Sequence, residues 1–121
     1  MRLTYRRDDP RRRIEIVSEG PFDPDVFIDA IHRQCREGIW HYAMLSDARG
    51  VTGTPTFEDL ERVHAEELHC GLDGAPLVII VENPALFRKA CAYAVLAQVN
   101  RPVTVVTDRT EAERWLREQS F

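Results

Sequence analysis

The chain has 121 residues, 44% of them apolar and 30% charged, with a formal net charge of −4. That is enough for one domain spanning residues 1–121 around a single core, without metals or disulfides to staple it. No apolar run approaches the roughly 20 residues that span a bilayer, and a net acidic body lacks the basic surface on which nonspecific nucleic-acid binding runs.

The charge is unevenly spread: residues 1–13 hold six arginines and two aspartates, +4, which leaves −8 on the remainder. This arginine-rich tip reads as a solvated hairpin, with docking of an acidic partner as its alternative. The N-terminal Met-Arg-Leu-Thr-Tyr-Arg-Arg has no apolar stretch of the signal-peptide kind, so a cytoplasmic location is expected. Cys35, Cys70 and Cys91 are odd in number and form no C-x-x-C pair. They are expected to be free, mostly buried thiols.

In chain order, Leu3 and Tyr5 alternate with polar residues, and after Asp8-Asp9-Pro10 a second alternation runs through Arg13, Ile14, Glu15 and Ile16. These runs predict an antiparallel hairpin closed by Glu19-Gly20-Pro21. Asp23-Pro24 is an N-cap followed by proline at the first helical position. The helix it opens has Phe27, Ala30, Ile31 and Cys35 on one face and Gly38 at its end. Residues 41–47 read as a strand, with Tyr42, Met44 and Ser46 on one side and Ala43, Leu45 and Asp47 on the other.

A polar loop from Ala48 to Pro55 follows, with Gly50 and Gly53 placed to let backbone approach a partner. Thr56 with Asp59 forms a capping-box variant for a second helix, whose expected buried stripe is Phe57, Leu60, Val63, His64 and Leu68. Cys70-Gly71-Leu72-Asp73-Gly74 should end it. Leu77 to Val81 is a continuous run of branched apolar residues, expected at the centre of the sheet. Asn83-Pro84 repeats the cap-plus-proline signature before a helix from Ala85 to Val99 that is apolar nearly all round, a sign of packing on two sides or of an interface. Val103 to Thr107 is the last strand. Asp108 with Glu111 predicts a full capping box for a closing helix with Ala112, Trp115 and Leu116 inward.

The resulting order, β-β-α-β-α-β-α-β-α, predicts an α/β fold: a single mixed, mostly parallel sheet with an antiparallel N-terminal hairpin at one edge. Strand-to-helix loops then share one rim, which gathers Asp47, Arg49, Thr52, Thr54, Thr56, Glu82, Asn83, Asp108 and Arg109 beside helix N-termini that favour anions.

Asp47-Ala48-Arg49-Gly50-Val51-Thr52 at a strand end resembles the Asp-x-Arg/Ser-Gly-Val-Thr signature of the SpoIIAA-like family, related to STAS (anti-sigma-factor antagonist) domains and sometimes grouped with the Sec14 lipid-binding fold. Phe87-Arg88 with Ala90 and Tyr93 after Asn83-Pro84, and Thr107-Asp108 through Glu111-Ala112 to Trp115-Leu116, extend the similarity over essentially the whole chain. The resemblance implies a noncatalytic binding or regulatory domain acting through a protein partner. Regulatory members are phosphorylated on a serine at the start of the helix after this loop. Here the segment reads Gly53-Thr54-Pro55-Thr56, so the phospho-switch is not carried over and Thr56 is read as a helix cap.

No nucleophile is paired with a base, so no enzyme, catalytic residue or cofactor is expected. Cys91, in the most apolar helix, reads as core. His64, Glu67, His69 and Cys70 invite a metal reading, but His64 and His69 are separated by about 140° round a helix, and no metal is expected. A receiver domain with Asp47 as phosphoacceptor lacks a lysine at the end of the last strand. Two uses remain for the surplus apolar surface of the Ala85–Val99 helix: a homodimer or protein interface, or a pocket for a small hydrophobic or lipid-like ligand. The interface is the expected one, because a large cavity would hollow out so small a core.

Overall fold

A computed structural model describes residues 1–71 and 74–119. Its elements are β1 (Arg2–Asp8), β2 (Arg13–Pro21), α1 (Pro24–Arg36), β3 (Ala43–Thr52), α2 (Phe57–His69), β4 (Leu77–Ile80), α3 (Pro84–Ala97), β5 (Val103–Val106) and α4 (Arg109–Glu118). The five strands form one sheet in the order β1-β2-β3-β4-β5. β1 pairs antiparallel with β2, and every other neighbouring pair is parallel. The expected α/β architecture, with its antiparallel edge hairpin, is therefore present. The centre of the sheet is β3 rather than the Leu77 run, because β2 lies on the inner side of the hairpin.

Strands laid side by side in chain order, with right-handed crossovers, put α1, α2 and α3 on one face of the sheet. There α2 packs between its two neighbours. Ile14 and Ile16 of β2, Met44 of β3 and Leu77 of β4 form the core beneath these helices with Ile28, Ile31, Leu60, Val63 and Tyr93. The alternate residues Leu45, Val78 and Ile80 point to the opposite face and are covered by Ala112 and Leu116 of α4. Beyond α4 that second face is closed by charge. Glu15 accepts from Arg6 at 2.8 Å, Arg13 at 3.4 Å and Arg109 at 2.6 Å, and Arg13 also donates to Glu113 at 2.8 Å. Part of the arginine-rich tip is thus tied into the fold.

The helix boundaries follow the sequence signals. Asp23 caps α1 by accepting from Asp25 N, with Pro24 at the first position, and Gly38 at φ +71 leads the chain away. Thr56 and Asp59 form the reciprocal capping box of α2. Asp108 accepts from Glu111 N, but among the described residues the return bond from Glu111 is not made, so only half of that box exists. Leu72 and Asp73, in the expected stop of α2, lie outside the described residues.

Two expectations change. The loop expected from Ala48 shrinks to Gly53–Thr56, because β2 continues past its bulge at Val17/Glu19 and pairs Glu19, Gly20 and Pro21 with Gly50, Val51 and Thr52. Arg49, Gly50 and Thr52 are strand residues. In α2 the apolar stripe is not the buried one throughout: Phe57 and Leu68 are exposed, and Glu67 is buried in their stead. Glu67 lies seven residues after Leu60, on the same face at helical spacing.

Gly50 pairs with Glu19 just past the bulge of β2. A Cβ there would lie 3.2 Å from both the Ser18 carbonyl oxygen and Glu19 Cγ. Its small size serves the sheet and not an outside partner. Gly50→Ala should destabilise the fold by about 1–3 kcal/mol, the usual cost of overpacking; urea denaturation checks this, and an unchanged midpoint would show that the bulge yields.

Candidate functional site

The expected rim forms at the carboxyl ends of the strands, where Arg49 feels the charges of Glu82 and Asp108, and Asp47 that of Arg109. Most of its polar side chains are already engaged within the chain. Arg49 grips Asp47 with two bonds, Nε to Oδ1 at 3.0 Å and Nη2 to Oδ2 at 2.8 Å, and the Arg49 amide also donates to Asp47 at 3.2 Å. Asn83 accepts from the Ala85 and Leu86 amides, while Thr56 and Asp108 cap α2 and α4. Thr52 and Thr54 are exposed at the same edge. The rim holds an ion pair braced in the fork geometry of a guanidinium and a carboxylate, two exposed threonines and three helix caps.

A second feature was not located by sequence. Between the sheet and helices α1, α2 and α3 lies a cavity of about 110 Å³. Its floor is made by Met44, Ser46 and Ala48 of β3 and by Leu77, Ile79 and Val81, which share one face. Four residue steps at about 3.3 Å each give that wall a length of roughly 13 Å. Ala30 and Ile31 of α1, Leu60 and Val63 of α2, and Ala90 and Tyr93 of α3 roof it. Phe22, stacked on Phe27 at 5.4 Å, and Pro55 line the end toward the rim.

Glu67 and Arg101 line the other end, and each is only 4% exposed. Arg101 Nη1 donates to Glu67 Oε2 at 2.7 Å and Arg101 Nε to the Ala75 carbonyl at 2.6 Å. One atom of each is left without a partner, Glu67 Oε1 and Arg101 Nη2. Burial pushes the Glu67 carboxyl above the usual carboxylate range against the opposing pull of Arg101. Glu67 and Arg101 thus place an acceptor and a donor without a protein partner at one end of a chamber whose lining is otherwise apolar apart from Ser46. Sequence reading had Glu67 only as a metal candidate. Its place on the Leu60–Val63 stripe was the available signal, whereas Arg101 follows α3 in a short turn with no periodicity to mark it.

The metal candidates on α2 do not converge. His64 stands edge-on to Tyr93 with centroids 6.4 Å apart, and burial lowers its pKa; Glu67 faces Arg101. Cys70 instead meets residues of two helices: His32 of α1 and Glu66 of α2, whose donor atoms all lie within 4.8 Å of one another and of the Cys70 sulfur. Cys35 Sγ donates to the Cys70 carbonyl at 3.4 Å, and its thiol is pushed up to about 12 by burial and by Cys70. Cys35, Cys70 and Cys91 are free and half-buried. Among the described residues no helix is long and apolar enough to cross a membrane.

No known family model, curated protein or solved structure matches the chain.

The Arg49 bonds hold the Asp47 carboxyl below the usual carboxylate range, with partial burial opposing. A depressed folded value means that the unfolded chain binds the proton more readily, so this stabilisation is present above the unfolded value of about 3.9 and is lost as pH falls through the folded one. Asp47→Asn should therefore destabilise the protein at neutral pH, with the gap to wild type narrowing as pH drops below about 4. Urea midpoints across the acid range check this; a gap independent of pH would place the effect elsewhere.

Proposed function

We propose that the protein is a noncatalytic binding module that takes up a small apolar molecule carrying one polar head in the cavity between the sheet and α1–α3. The observation that carries this reading is the unsatisfied pair Glu67 Oε1 and Arg101 Nη2 at the end of an apolar chamber. Apolar cavities of this order, such as one of about 150 Å³, stay dry and admit benzene. The cavity is small enough to coexist with a packed core, so the objection that a pocket would hollow out the domain does not apply. A head that both donates and accepts, such as a hydroxyl, satisfies the carboxylate oxygen and the guanidinium nitrogen together. A plain hydrocarbon leaves both unmet.

Toluene and phenol share one shape and differ by a methyl for a hydroxyl, which makes them the direct probes. Both should bind and raise the melting temperature, with phenol the tighter; at ten times its Kd a ligand stabilises by about 1.4 kcal/mol. Ala90→Leu, which fills the cavity from α3, should abolish both shifts. If neither compound binds by calorimetry, the reading fails; if toluene binds better than phenol, the polar pair does not select the ligand.

A second reading, self-association or protein recognition of the STAS type through α3, is favoured by Val95 near its end, 63% exposed, and Val99, 84% exposed in the turn just after it; the helix stops at Ala97 and not at Val99 as expected. In sedimentation velocity the wild type should run as a dimer and Val95→Glu as a folded monomer. A monomeric wild type at high concentration ends the self-association reading.

A further inference from the structure

On α1, His32 and Cys35 are three residues apart; on α2 and its C-cap, Glu66 and Cys70 are four apart. Both spacings bring side chains to one helix face, and because α1 packs against α2 the two pairs meet. His32 Nε2 lies 2.5 Å from Glu66 Oε1, and these two donors and the Cys70 sulfur lie within 4.8 Å of one another. The Cys35 sulfur donates to the Cys70 carbonyl at 3.4 Å and lies next to this group but outside its 4.8 Å limit. The side chains of His32 and Glu66 are 41% and 29% exposed, so the cluster is open to an ion from solvent.

We propose that His32, Cys35, Glu66 and Cys70 form a binding site for a zinc-class divalent cation. A tetrahedral ion with bonds of about 2.0–2.3 Å needs its donors roughly 3.3–3.8 Å apart. Small side-chain adjustments bring His32, Glu66 and Cys70 to that spacing, and Cys35 completes the set by turning its sulfur off the Cys70 carbonyl. One imidazole nitrogen, one carboxylate oxygen and two sulfurs are a borderline-soft set that selects zinc or cobalt over magnesium or calcium. On binding, each thiol loses its proton to solvent and a sulfur–metal bond replaces the S–H bond. Neutral His32 and ionised Glu66 bind through lone pairs they already hold. A histidine–carboxylate hydrogen bond by itself needs no thiol, yet two of the three cysteines in the chain stand beside this one. The ion would staple α1 to α2. The expectation of no metal weighed donors from α2 alone; two of these four come from α1.

Titration of the reduced protein with Co²⁺ tests the site through its colour. The expected result is saturation at one ion per chain, visible bands of tetrahedral intensity, a near-ultraviolet thiolate-to-cobalt band, and displacement by Zn²⁺. Cys70→Ser should weaken binding by more than the ~10–100-fold that changes outside the ligand set cost. Cys35→Ser should remove part of the thiolate band, and Cys91→Ser should change nothing. Circular dichroism establishes that each variant is folded, and His32→Gln provides a second route should Cys70→Ser unfold. Cobalt bound without a thiolate band, a band that survives Cys70→Ser and His32→Gln, or saturation at other than one ion per chain would each overturn the proposal.

Discussion

Everything on the helical side of this molecule depends on the hand of its crossovers. Five strands lie in the order in which they are made, so each right-handed β-α-β connection returns its helix to the same face. Three helices must share the width of one small sheet, with α2 confined between α1 and α3. The apolar faces of the outer two turn toward the middle one, and the gap where three helices and a twisted sheet fail to close completely is the cavity. The same crowding presses α1 on α2 where His32, Cys35, Glu66 and Cys70 meet. α4, which follows the last strand and carries no crossover, is left to cover Leu45, Val78 and Ile80 on the other face.

The buried pair at the cavity end is the expensive part of this arrangement. Glu67 and Arg101 give up water almost completely, and their mutual attraction offsets that only in part, since one atom of each is unmet. Apolar residues of similar volume would pack there at no such penalty. Removing one partner alone would strand the other charge, at about 3–5 kcal/mol. The pair also joins the last turn of α2 to the connection between α3 and β5, so a ligand group reaching it would act on two of the three helices that roof the chamber. On the opposite face the charges around Glu15 are shared among three arginines and reach solvent at their edges, which makes them far less costly.

At the rim, residues chosen as binding candidates do local work. Thr56, Asn83 and Asp108 satisfy amides at helix starts that would otherwise be orphaned, and Arg49 is bonded to Asp47, two residues before it on β3. Capping and recognition draw on the same residue types, so a sequence offers no means of telling them apart. Thr52 and Thr54 are exposed at the same rim and cap none of the helices.

The elements were legible in the sequence because their signals are local. Asp23-Pro24, Thr56 with Asp59, and Asn83-Pro84 each mark a helix start within a few residues, and alternation or a branched run marks each strand. Their succession alone fixed an α/β sheet with an antiparallel edge. The length of β3 was not legible, since Arg49 to Thr52 become strand only when Glu19 to Pro21, some thirty residues earlier, pair with them. Neither was the burial of Glu67, which depends on Arg101 arriving from beyond the next helix, nor the meeting of His32 and Cys35 with Glu66 and Cys70. Periodicity reports which face of an element is apolar. Which charged or sulfur-bearing side chains from separate elements share one space is decided only when the crossovers bring those faces together.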